Sequence, residues 1–227
     1  FDQIGKGVDL ELFLLTIRSL GLGLSAASLT VVAALILSIA KRWNSSKWIR
    51  SLTFLAGIGY AVPGAVLALG LFSFGGPPWK FVPILLLLWG YSDRFLAVAK
   101  GGLDAAFERI SPNLDEAATG LGCKWQEVLK KVHLPLLKGP LGVGVLLVFV
   151  DTLKELPLSF TLRPFDFDTL SVRIFQYAGD ERMSEAILPS LIILSLGLIA
   201  SLALMPGLDS SNESKTSEYN YTKQSKY

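Results

Sequence analysis

Two stretches without a single charge, Ser19 to Ala40 and Ala186 to Leu208, set the terms for what this chain can become. Each exceeds the roughly 20 residues a helix needs to cross the hydrocarbon of a bilayer, where only internally bonded backbone is tolerated. Ser51 to Trp79 is uncharged too, and Pro63-Gly64 in its middle reads as a loosened turn inside one span, because proline withholds a backbone donor. Phe81 to Lys100 and Pro140 to Leu162 are apolar but interrupted, by Asp93-Arg94 and by Asp151, Lys154 and Glu155. The expectation is an all-α membrane protein, a polytopic helical bundle of about five spans within residues 1–206. A mean hydropathy of +0.49 and 51% hydrophobic residues agree, and they set the chain apart from soluble domains.

Basic residues orient the spans, since short loops rich in Lys and Arg stay on the cytoplasmic side. Lys41, Arg42, Lys47 and Arg50 lie between the first two spans; Lys100, Arg109, Lys124, Lys130, Lys131 and Lys138 lie in the loop of about 100–139 between the third and fourth. The opposite loop, about 163–185, balances three arginines against Asp166, Asp168, Asp180, Glu181 and Glu185. This pattern starts the chain outside and leaves its C-terminus in the cytoplasm. Residues 207–227, rich in Ser, Asn, Lys and Tyr, carry too little apolar surface to fold and read as a disordered tail. One cysteine, Cys123, and one histidine, His133, build neither an internal disulfide nor a zinc cluster. Cys123 reads as a small filler and His133 as a surface side chain. The chain opens at Phe1 with no initiator methionine, which reads as part of something longer.

The basic loop of about 100–139 has structure of its own. Ser111 followed by Pro112 is a helix start, with a hydroxyl to cap free amides and a proline where its missing donor costs nothing. Leu114, Ala117, Ala118 and Leu121 then repeat at i, i+3, i+4 and i+7 as one apolar stripe, with Asp115 and Glu116 near the positive end of the dipole. Gly120 and Gly122 end this helix. Trp125, Val128, Leu129 and Val132 form a second stripe leading to Leu134-Pro135 and the next span. Two short amphipathic helices are expected, packed on the protein's own helix ends, lying on lipid, or engaging another protein.

The string Glu116-Ala117-Ala118, Gly122 and Val132-His133-Leu134-Pro135 spells EAAxxxG(x9)VxLP, with Val where Ile is usual. It resembles the cytoplasmic coupling loop of binding-protein-dependent ABC importer permeases, which have a type I permease core. Tyr60 to Gly64, Arg94 to Ala99, Phe149 to Asp151, Lys154 to Pro157 and Arg163 to Leu170 look like the second half of iron(III)-type members, in which two halves are fused. The resemblance runs from about Leu15 to Ser201. It implies a non-catalytic subunit in the inner (plasma) membrane whose partners are ABC ATPase subunits, another permease half, an extracytoplasmic solute-binding protein and the lipid bilayer, with no nucleic acid. It implies that Glu116, Ala117, Ala118, Leu121, Gly122, Val132, Leu134 and Pro135 couple to the ATPase. ATP and Mg belong to that partner, and no cofactor or metal is bound by this chain. In keeping with this, the one Gly-Lys pair, Gly5-Lys6, lacks the surrounding GxxxxGK[ST] of a P-loop.

Charges within spans default to functional readings. Asp151, Lys154 and Glu155, spaced i, i+3 and i+4, share a helical face and can pair with one another before Leu156-Pro157 disrupts the helix. They read as a translocation path or outer gate together with Pro157, or as an interfacial ion-pair patch. Asp93-Arg94 reads as a structural element facing the bundle interior. Outside, Asp168 can cap a short helix from Thr169 to Ala178, and Arg163, Asp166, Asp168 and Arg173 form a docking surface for a binding protein, or else an ordinary loop with internal pairs. The substrate reading is Fe(III); thiamine or another small solute is the alternative in the same class. A proton-coupled secondary transporter using Asp93, Asp151 and Glu155, or a non-transporting remnant, are readings from other classes.

Overall fold

The computed structural model describes residues 10–44, 46–75 and 83–224, with side chains as far as Ala203 except at Phe74 and Gly75. Ten α-helices follow one another, and no strand occurs among the described residues. They are α1 (Leu10–Trp43), α2 (Lys47–Ala61), α3 (Gly64–Gly75), α4 (Pro83–Glu108), α5 (Pro112–Gly120), α6 (Trp125–Val128), α7 (Leu134–Leu153), α8 (Pro157–Leu162), α9 (Leu170–Gly179) and α10 (Met183–Gln224). A π-helical turn, Leu129–His133, joins α6 to α7 without a break.

Helix α4 is the hub, touching α1, α2, α3, α7 and α8. The α1 face that meets the bundle is a column of small residues, Ser19, Gly23, Ala26, Ala27, Thr30, Ala34 and Ser38, which lets backbones approach closely where lipid offers no hydrophobic drive between helices. A core of Leu22, Val31, Leu87, Tyr91, Phe95, Leu103, Val148 and Leu158 fills the space between α1, α4, α7 and α8. The large apolar side chains outside it, such as Leu24, Val32 and Ile36 on α1 and Leu194 and Leu198 on α10, face outward as a bilayer requires.

Among the described residues, three helical runs are long and apolar enough to cross a membrane: α1, Trp125–Leu153, and Met183–Ala203 of α10. The expected second span differs from a loosened single helix. At Val62-Pro63 the chain turns by 113°, so α2 and α3 are two helices that make at most one broken span. The five expected spans thus become three, or four with the bent pair, on length and apolarity alone. Helix α4 carries Asp93, Arg94 and Lys100 but is surrounded by other helices, which accounts for charge in so central an element. The expected span Pro140–Leu162 is also divided: α7 stops at Leu153, and α8 begins again at Pro157. The backbone of α10 runs on as helix through 207–224, where composition argues for a disordered tail, while the side chains beyond Ala203 lie outside the described residues.

Candidate functional site: a projecting helix and its anchor

The residues of α5 form a helix with both ends made locally. Ser111 Oγ accepts from the Asn113 amide at 3.3 Å, and Pro112 occupies the first turn. At the other end, the Gly122 amide donates to the Thr119 carbonyl at 2.9 Å and the Cys123 amide to the Ala118 carbonyl at 3.1 Å. That pair of bonds is a Schellman motif, and it places Gly122 in the left-handed region, with φ of 85°. A residue with a Cβ is strained there, so the glycine of the motif is explained by helix termination. Helix α5 is Pro112–Gly120, slightly shorter than the expected Ser111 to Gly122.

Among the described residues, little packs on the stripe of α5. No residue of α5 is buried; Leu114 is 46% exposed and Leu121 86%. Glu116 and Ala117 are exposed, and Ala118 is half-buried. The second stripe behaves differently: Val128 is buried, while Leu129 and Val132 are half-buried. It is no separate short helix, because α6 and the π-turn run straight into α7, whose first residues are Leu134 and the exposed Pro135. Glu127 Oε2 accepts from the Lys124 amide at 3.0 Å and so starts that run.

What ties α5 to the bundle is a cluster that spacing along the chain does not announce. Asp115 Oδ2 accepts from Arg42 Nε at 2.9 Å, and its Oδ1 lies 2.8 Å from His133 Nε2. Arg42 reaches past the end of α4 to donate to the carbonyls of Phe107, at 2.8 Å, and Ile110, at 3.1 Å. His133, expected at the surface, is 0% exposed, packed between Phe107 and an edge-on Trp43 at ring-centroid distances of 5.5 and 5.4 Å. The π-helical turn inserts an extra residue into the ladder there and aims His133 inward. The one clue in the sequence was a lone histidine in a lysine-rich loop; Arg42 is 73 residues from Asp115.

Near the middle of α4 the charges pair across helices rather than along one. Glu155 does not meet Lys154, because α7 has ended; its Oε2 accepts from Arg94 Nε at 3.3 Å, and Arg94 also donates to the Val62 carbonyl at 2.8 Å. Asp151 and Lys154 do pair, at 2.8 Å, with Lys154 65% exposed. Pro157 is exposed in the first turn of α8. Ser159 Oγ donates to the Glu155 carbonyl at 2.5 Å and contacts the Tyr91 hydroxyl. The expected group of Asp151, Lys154 and Glu155 is thus split, and only Glu155 lies in the interior.

In the loop before α9, the expected cap is shifted by one residue. Thr169, not Asp168, accepts from the Val172 amide, because Asp168 is taken up by ion pairs with Arg163 and Arg173. Arg173 also pairs with Glu11, and Arg18 donates to the Asp166 carbonyl at 2.9 Å. The charges of Arg163 and Arg173 are therefore paired within the chain, although Arg173 Nε has no hydrogen-bond partner among the described residues, and Phe165, 89% exposed, stands out of this loop beside the exposed Asp166.

Comparison with known proteins bears on this arrangement. The fold is similar to chains from solved structures of an amino acid ABC transporter (TM-score 0.59, 19% identity, 88% of this chain and 92% of that one) and of the methionine transporter MetNI in inward-facing conformations (0.61, 14%, 88% and 99%). It is similar also to a bacterial alginate ABC transporter solved with an alginate-bound periplasmic protein (0.64, 14%, 90% and 80%). In sequence, 171 residues are 29% identical to the Fe(3+)-transport system permease protein FbpB 2 of Haemophilus influenzae, covering 73% of this chain; the chain spans about a third of that relative's length (33%). The model of the family described as binding-protein-dependent transport system inner membrane component matches residues 26–208. The chain belongs to that family, the ABC importer permeases, and is a multi-pass inner membrane protein.

Proposed function

We propose that this chain is a permease subunit for Fe(III), driven by a separate ABC ATPase that seats on α5. The observation that carries the reading is the projecting helix: Leu114 and Leu121 stand exposed on a stripe bounded by a polar face, without cover from the described residues. An apolar stripe at the end of a bundle, on a helix with small alanines, fits a groove in a partner. In this reading the basic loops 41–50 and 100–138 face the cytoplasm, as does the C-terminus, and ATP and Mg reside on the partner. ATP-driven closure of two ATPase subunits displaces α5 and rocks this half against a second permease half. Fe(III), delivered by an extracytoplasmic binding protein at the face carrying Phe165, then passes inward. The iron assignment draws on the similarity to the Haemophilus influenzae Fe(3+) permease.

A proton relay draws less support, since Asp151 and Glu155 are each engaged in an ion pair, with Lys154 and with Arg94. The test is uptake of radiolabelled Fe(III) by cells expressing the chain with its partners. Glu116→Ala combined with Gly122→Val is expected to abolish uptake while membrane insertion persists. Undiminished uptake in that double variant would refute the coupling role, and uptake of another solute in place of Fe(III) would refute the substrate.

A further inference from the structure

The coupling helix can do work only if it is joined to the spans by something stiff, and its own surface offers little. None of its residues is buried, and Ser111 and Gly122 at its ends are exposed. Asp115 is the exception, since its two carboxylate oxygens point to two different elements. Oδ2 accepts a hydrogen bond from Arg42, on the last turn of α1, and Oδ1 lies 2.8 Å from His133 Nε2, on the turn that leads into α7, a close contact without hydrogen-bond alignment. Arg42 is in turn fixed to the end of α4 by the Phe107 and Ile110 carbonyls, with its guanidinium 5.9 Å from the Phe107 ring centroid. Trp43 stands edge-on to both His133 and Trp125, at ring-centroid distances of 5.4 and 6.0 Å, and so bridges α1 to the run that leads into α7. The side chains of both Arg42 and Asp115 are less than one-fifth exposed, and a charged pair at that depth has far more stiffness than one in open water.

We propose that Asp115, hydrogen-bonded to Arg42 and seated against His133, is the strut through which displacement of α5 reaches α1, α4 and α7 together. This rests on the reading of α5 as the helix that receives the ATPase. The exposed stripe of Leu114 and Leu121 is the receiving face, and Asp115 is a positioning residue that passes the movement on. Asparagine at position 115 keeps the shape but removes the charge that grips Arg42. The ATPase then still seats on α5, while the helix slips relative to the spans.

The experiment uses the complete complex in proteoliposomes, with radiolabelled Fe(III) as cargo, and reads Fe(III) taken up per ATP hydrolysed. Crosslinking from Thr119→Cys, on the exposed side of α5, to the ATPase is read in parallel. For Asp115→Asn the crosslink is expected to persist, and the uptake per ATP to fall about tenfold, the size expected of a broken coupling element. Asp115→Glu, which keeps the charge, is expected to recover most of that ratio. Should Asp115→Asn fail to assemble, Arg42→Lys gives the same readout: it keeps the charge but lacks the fork that reaches Asp115 and two carbonyls at once. An uptake-to-ATP ratio equal to the parent's in a variant that assembles and crosslinks overturns the strut and leaves the functional reading standing. A parent complex whose α5 never crosslinks to the ATPase overturns that reading, and the strut with it.

Discussion

Replacing Arg94 by alanine is expected to cost about 3–5 kcal/mol of stability, the penalty for stranding a buried charge. The stranded group is Glu155, only 9% exposed, whose Oε2 is held by Arg94 and whose Oε1 has no hydrogen-bond partner among the described residues. The same substitution frees the Val62 carbonyl at the point where α2 ends and the chain turns by 113°. Arg94 therefore holds both the bent pair α2–α3 and the start of α8 against α4. The check is the thermal midpoint in detergent of Arg94→Ala, of Glu155→Gln and of the two combined. The combined variant is expected to be more stable than Arg94→Ala alone, because neutralising Glu155 removes the uncompensated charge. Additive losses would show that the pair does not act as a unit.

Gly59→Ala is the second large effect. A Cβ on Gly59 would lie 2.3 Å from the Asp93 carbonyl oxygen and 2.9 Å from its carbon, so α2 has to part from α4. Neither atom belongs to a flexible side chain, and overpacking of this kind typically costs about 1–3 kcal/mol, with backbone obstruction at the upper end. Gly64→Ala is expected to be milder: its Cβ would meet Glu155 Oε1 at 2.8 Å and Arg94 Cζ at 3.2 Å, both able to yield, though at the expense of the ion pair. Gly57, two residues before Gly59, has nothing within 4 Å of its added Cβ, so Gly57→Ala is expected to be neutral or to stabilise α2 by up to about 1 kcal/mol. The order of thermal midpoints should be Gly57→Ala highest, then Gly64→Ala, then Gly59→Ala. A Gly59→Ala protein as stable as Gly57→Ala would contradict the close approach of α2 and α4.

The middle of α4 and its C-terminal end follow one design. At each, an arginine binds a carboxylate on a later segment and a backbone carbonyl at a helix end: Arg94 with Glu155 and Val62, Arg42 with Asp115, Phe107 and Ile110. A guanidinium suits both tasks because it is always charged and presents several donors in a fixed fork. The bent helix pair and the projecting helix are thus tied into the same bundle through cations whose partners carry no signature along the chain, although Asp93-Arg94 was expected to face the bundle interior.

Local chemistry alone determined the helical membrane class, the start of α5 at Ser111-Pro112, its end at Gly122 and the stripe of Leu114 and Leu121. Hydrocarbon length, cap geometry and side-chain period depend on neighbours a few residues away. The sharp turn at Val62-Pro63, the break between α7 and α8, the Arg94 and Glu155 pair and the burial of His133 were decided by tertiary structure. Each depends on groups many residues apart in the chain, 61 for Arg94 and Glu155 and 73 for Arg42 and Asp115. A charge in a low-dielectric interior takes whichever opposite charge folding brings within reach, and spacing along one helix does not name it.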